Sequence, residues 1–130
     1  ILVDPEMTVT EGHRVAEIAR RNLIKAFDNI QDVLVHVDGE SDAEVEALYP
    51  ITRKELIEIA QPLISELKGG ILQSEIRVHH IKGKNILDVF LKIDSKQNME
   101  DTRDLVTNVK SKLETAPQID QARVFLDLNS

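Results

Sequence analysis

The chain has 130 residues, 42% hydrophobic and 30% charged, which is enough for one domain with a core or for two very small units. Its net charge of −7 argues against nucleic-acid binding, which needs a basic surface, and disfavours docking on anionic lipid headgroups. The absence of cysteine excludes disulfides and thiolate metal sites, and no stretch approaches the roughly 18 apolar residues of a membrane helix.

The first forty residues predict a strand end, a helix and a strand. Residues 1–3 are typical of the tail of a strand, so we expect a fragment whose upstream part is missing. Thr8 and Glu11 form a capping-box pattern, and the apolar residues after them recur at three- and four-residue intervals. These signals predict a helix that ends near residues 28–29, followed by a strand over 32–38.

The middle of the chain predicts an acidic linker and a second helix. Residues 41–50 are rich in Asp and Glu and are typical of a solvated linker or a short exposed helix. Thr52 is a cap for a helix to about residue 68, within which Pro62 predicts a kink or a local break. Gly69-Gly70 is the expected stop of that helix.

The remaining residues complete an αββαβ order of elements. Strands are predicted over 73–81 and 86–93, joined by the Gly-containing turn 82–85. A third helix follows over 99–113, and a last strand over 122–128. The fold class is therefore α+β, with helices covering one face of the sheet.

Three side chains are candidate metal ligands: His13, His36 and Asp38. The last two lie two apart on a predicted strand and therefore point to the same face. His13 lies near a helix start, which disfavours a protonated imidazole and so favours the neutral, metal-binding form. Imidazole and carboxylate together suit a borderline divalent metal such as zinc. His79 and His80 are adjacent on a strand, so they face opposite sides and form no compact site together.

Residues 1–38 and 91–129 follow one pattern, which indicates an internal repeat. Each copy contains a strand end, a capped helix and a strand with alternating aliphatic residues. The second copy keeps the packing positions and loses the imidazoles. The replacements are Arg103 for His13, Asp127 for His36 and Asn129 for Asp38. If the first copy binds metal, we expect that the second does not do so in the same way.

No motif typical of an enzyme is present. The chain contains no His-Glu-x-x-His zinc-hydrolase motif, no Gly-rich phosphate loop and no nucleophile elbow. We therefore expect no catalytic activity.

Three motifs occur in order within the first 38 residues: Val3-Asp4-Pro5, then Thr8-x-x-Glu11-Gly12-His13, then Val33-Leu34-Val35-His36-Val37-Asp38. In this order and spacing they resemble the cytoplasmic C-terminal domain of cation diffusion facilitator transporters. Residues 50–129 resemble the same domain only in pattern, as a degenerate second copy.

The resemblance implies ferredoxin-like αββαβ units, present here in the order βαβ-αββαβ. Residues 1–40 are then the C-terminal part of a first domain, 41–50 a linker, and 51–130 a second, degenerate domain. It also implies a homodimer on the cytoplasmic face of the inner membrane. The resemblance further implies a transmembrane part upstream in the same polypeptide, with this fragment itself outside the membrane.

The resemblance also implies a metal site, because His13, His36 and Asp38 match ligand positions of the family. A further family ligand lies on the preceding strand, which falls before or around Ile1. Zinc is the leading candidate for the metal, and iron, manganese, cobalt and nickel are alternatives.

We therefore predict a regulatory and dimerising cytosolic domain of a divalent-cation efflux transporter, which couples metal binding to the arrangement of the protomers. The alternative is a metal-free structural dimerisation module of the same ferredoxin-like fold. A third possibility is a small-molecule-binding regulatory domain with an apolar pocket between the repeats.

Overall fold

The computed structural model describes residues 1–41, 51–67 and 69–127. The chain forms two compact units, Ile1–Glu46 and Ala47–Ser130. Almost all of the predicted linker over 41–50 lies outside the described residues. The linker and the predicted domain boundaries therefore stay predictions.

The first unit contains one helix, α1, Val9–Ala26. The Thr8 hydroxyl accepts a hydrogen bond from the Glu11 backbone N–H, and the Glu11 carboxylate accepts one from the Thr8 N–H at 3.0 Å. This arrangement is the predicted capping box. α1 ends two residues earlier than predicted, where Phe27 adopts an extended backbone.

The segment predicted as strand 32–38 forms a single parallel bridge rather than a ladder. Leu2 bridges Asp38, with hydrogen bonds from the Val3 N–H to the Asp38 carbonyl and from the Asp38 N–H to the Ile1 carbonyl. The partner segment is short because the chain turns at residues 4–7 immediately after the bridge. In the described residues this pairing is therefore limited to one bridge.

The second unit has the predicted αββαβ order. Its elements are α2 (Arg53–Ser65), β1 (Ile71–Ile81), β2 (Lys84–Ile93), α3 (Met99–Glu114) and β3 (Gln121–Asp127). The sheet order is β1-β2-β3, with β1 antiparallel and β3 parallel to β2. The α+β fold class is thus confirmed, and the strands and α3 begin and end within two residues of the predicted positions.

Local sequence explains how the β1–β2 hairpin turns and where α2 begins and ends. Lys82 and Gly83 both have positive φ, 51° and 70°, as a two-residue turn compatible with the strand twist requires. Thr52 and Glu55 form a second capping box at the start of α2. This helix ends at Ser65 rather than near residue 68, with Pro62 inside its last turn.

The core of the second unit lies between the two helices and one face of the sheet. α2 and α3 each contribute three residues at four-residue intervals, and β2 contributes alternate residues. The buried cluster is Leu56, Ala60, Ile64, Ile76, Leu87, Val89, Leu91, Leu105, Val109, Leu113, Ile119 and Ala122. Both helices cover the same sheet face, as predicted, and the opposite face carries no helix from the described residues of this unit.

Candidate metal-binding surface

His36 and Asp38 lie side by side in the first unit. The His36 Nε2 is 2.7 Å from the Asp38 Oδ1, and 82% of the His36 side chain is exposed. Val33, Val35 and Val37 are partly buried, whereas Leu34 and His36 are exposed, so burial alternates as it does in a strand. The pattern places one nitrogen and one oxygen donor together on an open surface.

The first residues of the chain fix the backbone of this pair. The Ile1 amino group donates to the His36 carbonyl at 2.7 Å, and the Val3 N–H donates to the Asp38 carbonyl at 2.8 Å. These bonds use main-chain groups only, so they engage neither the imidazole nor the carboxylate, which contact each other.

His13 lies apart from the pair. Gly12, the preceding residue in α1, is buried, and a Cβ added there would lie 3.7 Å from Val37 Cγ1. His13 is exposed and lines a cleft of about 360 Å³ together with Val35 and Val37. The helix therefore packs on the side of the segment opposite to His36. Across the part of the chain that the structure describes, no three His, Asp or Glu side chains converge as a metal site would require.

The donor set fits a divalent metal in part. Imidazole and carboxylate are common zinc ligands, but a tetrahedral site takes four donors, and the pair supplies two. The described residues therefore bring two potential donors together and form no complete tetrahedral site.

An ion pair links α1 to the segment that carries His36. Arg20 Nη2 lies 2.8 Å from Asp32 Oδ1, which also accepts a hydrogen bond from the Val33 N–H at 2.8 Å. The Val33 bond first, and the Arg20 guanidinium next, lower the pKa of Asp32. Because its pKa is lowered, Asp32 keeps its charge, and with it this contact between helix and segment, to a more acid pH than an isolated aspartate would.

The open sheet face of the second unit is arranged differently. Asp88 contacts Arg123 through both carboxylate oxygens, with Nη2–Oδ2 at 2.9 Å, and His79 Nε2 lies 3.0 Å from the same Oδ2. Phe90 and Phe125 stack beside this network with ring centroids 5.0 Å apart, and Arg77 lies over Phe90.

Asp88 lies on the open face of β2, two residues before Phe90, yet only 12% of its side chain is exposed. The neighbouring strands explain this burial, because Arg123 is its register partner on β3 and His79 is one strand away on β1. Opposite charges at sequence positions 88 and 123 were a possible signal, but only the strand register brings them together.

His79 and His80 do face opposite sides of β1. His79 contacts Asp88, whereas His80 Nδ1 lies 2.8 Å from the Asn85 side-chain oxygen. His79 and His80 therefore do not contact each other.

Asp127, the predicted counterpart of His36, is the last described residue of the chain, and Asn129 lies outside the described residues.

The first unit matches a known protein family. Residues 1–40 match the family described as cation efflux protein, cytoplasmic domain. The predicted resemblance to the cytoplasmic C-terminal domain of cation diffusion facilitator transporters is thereby confirmed for this stretch. No curated protein matches the chain.

Solved structures show the same fold at low sequence identity. The metal-bound C-terminal domain of the CzcD transporter from Thermotoga maritima is 12% identical, with a TM-score of 0.53, and the match covers 62% of this chain and 98% of that domain. CzrB is 18% identical, with a TM-score of 0.51 and coverage of 60% and 96%. A MamM C-terminal domain variant is 10% identical, with a TM-score of 0.53 and coverage of 58% and 96%.

The extent of the CzcD match places part of it in the second unit. Sixty-two per cent of 130 residues is about 81 residues, which exceeds the 46 residues of the first unit. The αββαβ order of the second unit and this likeness together give it the ferredoxin-like fold of these transporter domains. None of the helices in the described residues has the length and apolar character needed to cross a membrane.

Proposed function

We propose that this chain is a regulatory, dimerising part of a divalent-cation efflux transporter and binds its regulatory metal through the first unit. The observation that carries the proposal is the His36–Asp38 pair, exposed and 2.7 Å apart, inside the stretch that matches the cation-efflux family. The proposed setting is the cytoplasmic face of the inner membrane, with the transmembrane part upstream in the same polypeptide. No catalytic role is proposed.

The two donors on one chain favour a site shared between two copies. In a two-fold symmetric dimer the same surface of each protomer meets at the axis. Two His36–Asp38 pairs then supply two nitrogens and two oxygens, the number of donors that zinc takes in a tetrahedral site. His13 lies toward Val35 and Val37, so it joins such a site only from a partner chain.

Metal regulates the protomer arrangement only if it binds one arrangement more tightly than the other. A site divided between two copies meets this condition, because it is complete only when the copies are close. The likeness to the metal-bound CzcD domain and to CzrB, which also has a Zn form, supports metal as the ligand class. Zinc is the first metal to test, followed by iron, manganese, cobalt and nickel.

The first test is zinc titration of the metal-stripped chain by calorimetry. We expect His36→Ala and Asp38→Asn each to weaken zinc binding at least tenfold, because each removes a proposed ligand. His80→Ala is the matched control, since it removes an exposed strand histidine from the second unit and is expected to leave affinity unchanged. Unchanged zinc affinity in His36→Ala would refute the ligand assignment.

The metal-free dimerisation module remains the competing function, and chelation separates the two. A ligand that binds only the native dimer stabilises it, by about 2.7 kcal/mol at a hundredfold excess over Kd. We expect zinc to raise the melting temperature and the dimer fraction in sedimentation, and chelator to reverse both. If neither the mass nor the melting temperature of the dimer changes with zinc or chelator, the metal-free module is favoured.

A further inference from the structure

The outward face of α1 is basic although the chain is acidic. All four Lys and Arg residues within 1–41 lie in this helix. Three of them, Arg14, Arg21 and Lys25, follow each other at spacings of seven and four residues and share one helix face with Ile18. The face is exposed at all four positions, with Ile18 50% exposed.

This basic stripe, Arg14-Ile18-Arg21-Lys25, lies opposite the packed side of the helix. At 100° per residue, Gly12 is about half a turn away from the stripe, and Gly12 is the residue buried against Val37. The stripe therefore has no part in the packing of the first unit. Glu11 and Glu17 flank it, and Glu17 pairs with Arg21 at 2.9 Å; three cations against two carboxylates leave the stripe positive.

The second copy of the repeat shows that the fold does not require these charges. Thr8 of α1 corresponds to Asn98 of α3, and the same offset relates the other helix positions. The counterparts of the stripe are Asp104, Asn108, Ser111 and Thr115. None of these is a cation, so the basic stripe is a property of the first copy alone.

We propose that the basic stripe of α1 docks on an anionic phospholipid surface. This inference rests on the proposed function for its setting, because a domain of a membrane transporter lies beside a bilayer. The cations form a row about 16 Å long on a straight helix, which suits contact with a flat charged surface. Ile18 among them adds an apolar side chain at the headgroup level, which favours a bilayer over an acidic polypeptide.

The overall charge of −7 does not cancel this local attraction. Ionic screening acts over about 8 Å at physiological salt, which is less than the thickness of a helix with its side chains. Acidic groups beyond the packed side of α1 are therefore largely screened from a surface that touches the stripe. The binding is expected to weaken steeply as salt is raised.

The test is co-sedimentation of the 130-residue chain with vesicles of equimolar phosphatidylglycerol and phosphatidylcholine, in chelator so that metal plays no part. We expect binding to these vesicles and not to pure phosphatidylcholine. The triple variant Arg14→Gln/Arg21→Gln/Lys25→Gln should lose roughly a hundredfold in partitioning, about fivefold for each charge removed. Glu17→Gln should bind more tightly.

The matched control removes the same charge elsewhere. Lys84, Lys96 and Arg103 are exposed cations of the second unit, and their triple change to Gln is expected to bind as the parent does. Equal loss in both triple variants, equal binding to pure phosphatidylcholine, or no binding by the parent would each overturn the proposal. Release of the protein from the vesicles by polyglutamate at equal charge would also overturn it, because the stripe would then bind an acidic polypeptide instead.

Circular dichroism of each variant checks that the helices are intact. Because the assay contains chelator, loss of zinc binding in the His36 variants leaves its outcome unchanged. Co-sedimentation in chelator therefore tests the lipid proposal alone, and zinc calorimetry tests the metal proposal alone.

Discussion

The two units of this chain differ in how many side chains they bury, although the sequence predicts a shared strand–helix–strand pattern in both. The second unit buries a dozen side chains between its two helices and its sheet. Within the described residues of the first unit, Gly12 alone is buried, and Leu34 is 99% exposed. The second unit is therefore held by a packed core, whereas the first presents its His36–Asp38 pair on an open surface.

Asp38 in the first unit and Asp88 in the second differ in how fully their carboxylates are paired and buried. Asp38 in the first unit has one imidazole beside it and an open surface around it. Asp88 in the second unit has both oxygens occupied by Arg123 and is largely buried. In the second unit the Arg123 guanidinium neutralises Asp88. In the first unit no Lys or Arg contact of Asp38 is seen among the described residues.

The strongest way to test the contrast in packing is a pair of truncations. Leu87→Ala removes a fully buried side chain and should destabilise the second unit by about 3 kcal/mol, through lost burial and a residual cavity. Val35→Ala removes a half-buried side chain from the first unit and should cost less than about 1 kcal/mol. Urea unfolding followed by circular dichroism measures both. Equal losses would show that the first unit has a core of comparable quality.

A second variant tests whether the Asp88 network stabilises the open sheet face. Asp88→Asn removes the negative charge that Arg123 and His79 contact in a partly buried position, at a cost of about 2 kcal/mol. Glu75→Gln is the matched control, because Glu75 is an exposed carboxylate on the same sheet whose pair with Arg77 is largely solvated. It should change stability by less than about 0.5 kcal/mol. If the two variants lose stability equally, the network does not have the role assigned to it.

Local signals in the sequence were sufficient for the element order. Thr8 and Thr52 each cap a helix as predicted, because capping depends on the residue itself and on its neighbours three positions along, and Asn98 caps α3 in the same way. The hairpin and the helix-covered face followed from Gly83 and from alternating apolar residues. The end of α2 at Ser65 was less predictable, because the expected Gly69-Gly70 stop comes later than the helix end.

The parts that sequence reasoning missed depend on register and rotation. The alternation that brings His36 and Asp38 together is local, but the position of His13 is set by how α1 rotates about its axis when Gly12 meets Val37. The burial of Asp88 depends on which residue of β3 lies beside it. The apolar stripe of a helix indicates which face it buries, but which segment lies against that face, and which residues of two parallel strands meet, depend on contacts distant in sequence.

The smallest expected effect concerns how each helix is joined to the segment after it. In the first unit Arg20 of α1 contacts Asp32. In the second, Lys110 and Glu114 of α3 reach Ala122 at the start of β3: Glu114 accepts from the Ala122 N–H at 3.0 Å and Lys110 donates to the Ala122 carbonyl at 2.8 Å. In the first unit the carboxylate, Asp32, belongs to the segment after the helix, whereas in the second unit the carboxylate, Glu114, belongs to the helix itself.

These contacts predict a pH dependence with a defined sign. The Ala122 N–H first, and Lys110 next, lower the pKa of Glu114 below its ordinary value of 4.5. A carboxylate whose pKa is lower in the folded chain stabilises it above the unfolded pKa, and this stabilisation disappears as pH falls through the folded pKa. Glu114→Gln should therefore cost about 1 kcal/mol at pH 7 and nothing at acid pH, by thermal unfolding across that range. Asp32→Asn should lose stability with the same pH dependence but a smaller amplitude, because Asp32 is more exposed. If both variants instead lose the same stability at every pH, packing and not charge joins these helices to the segments that follow.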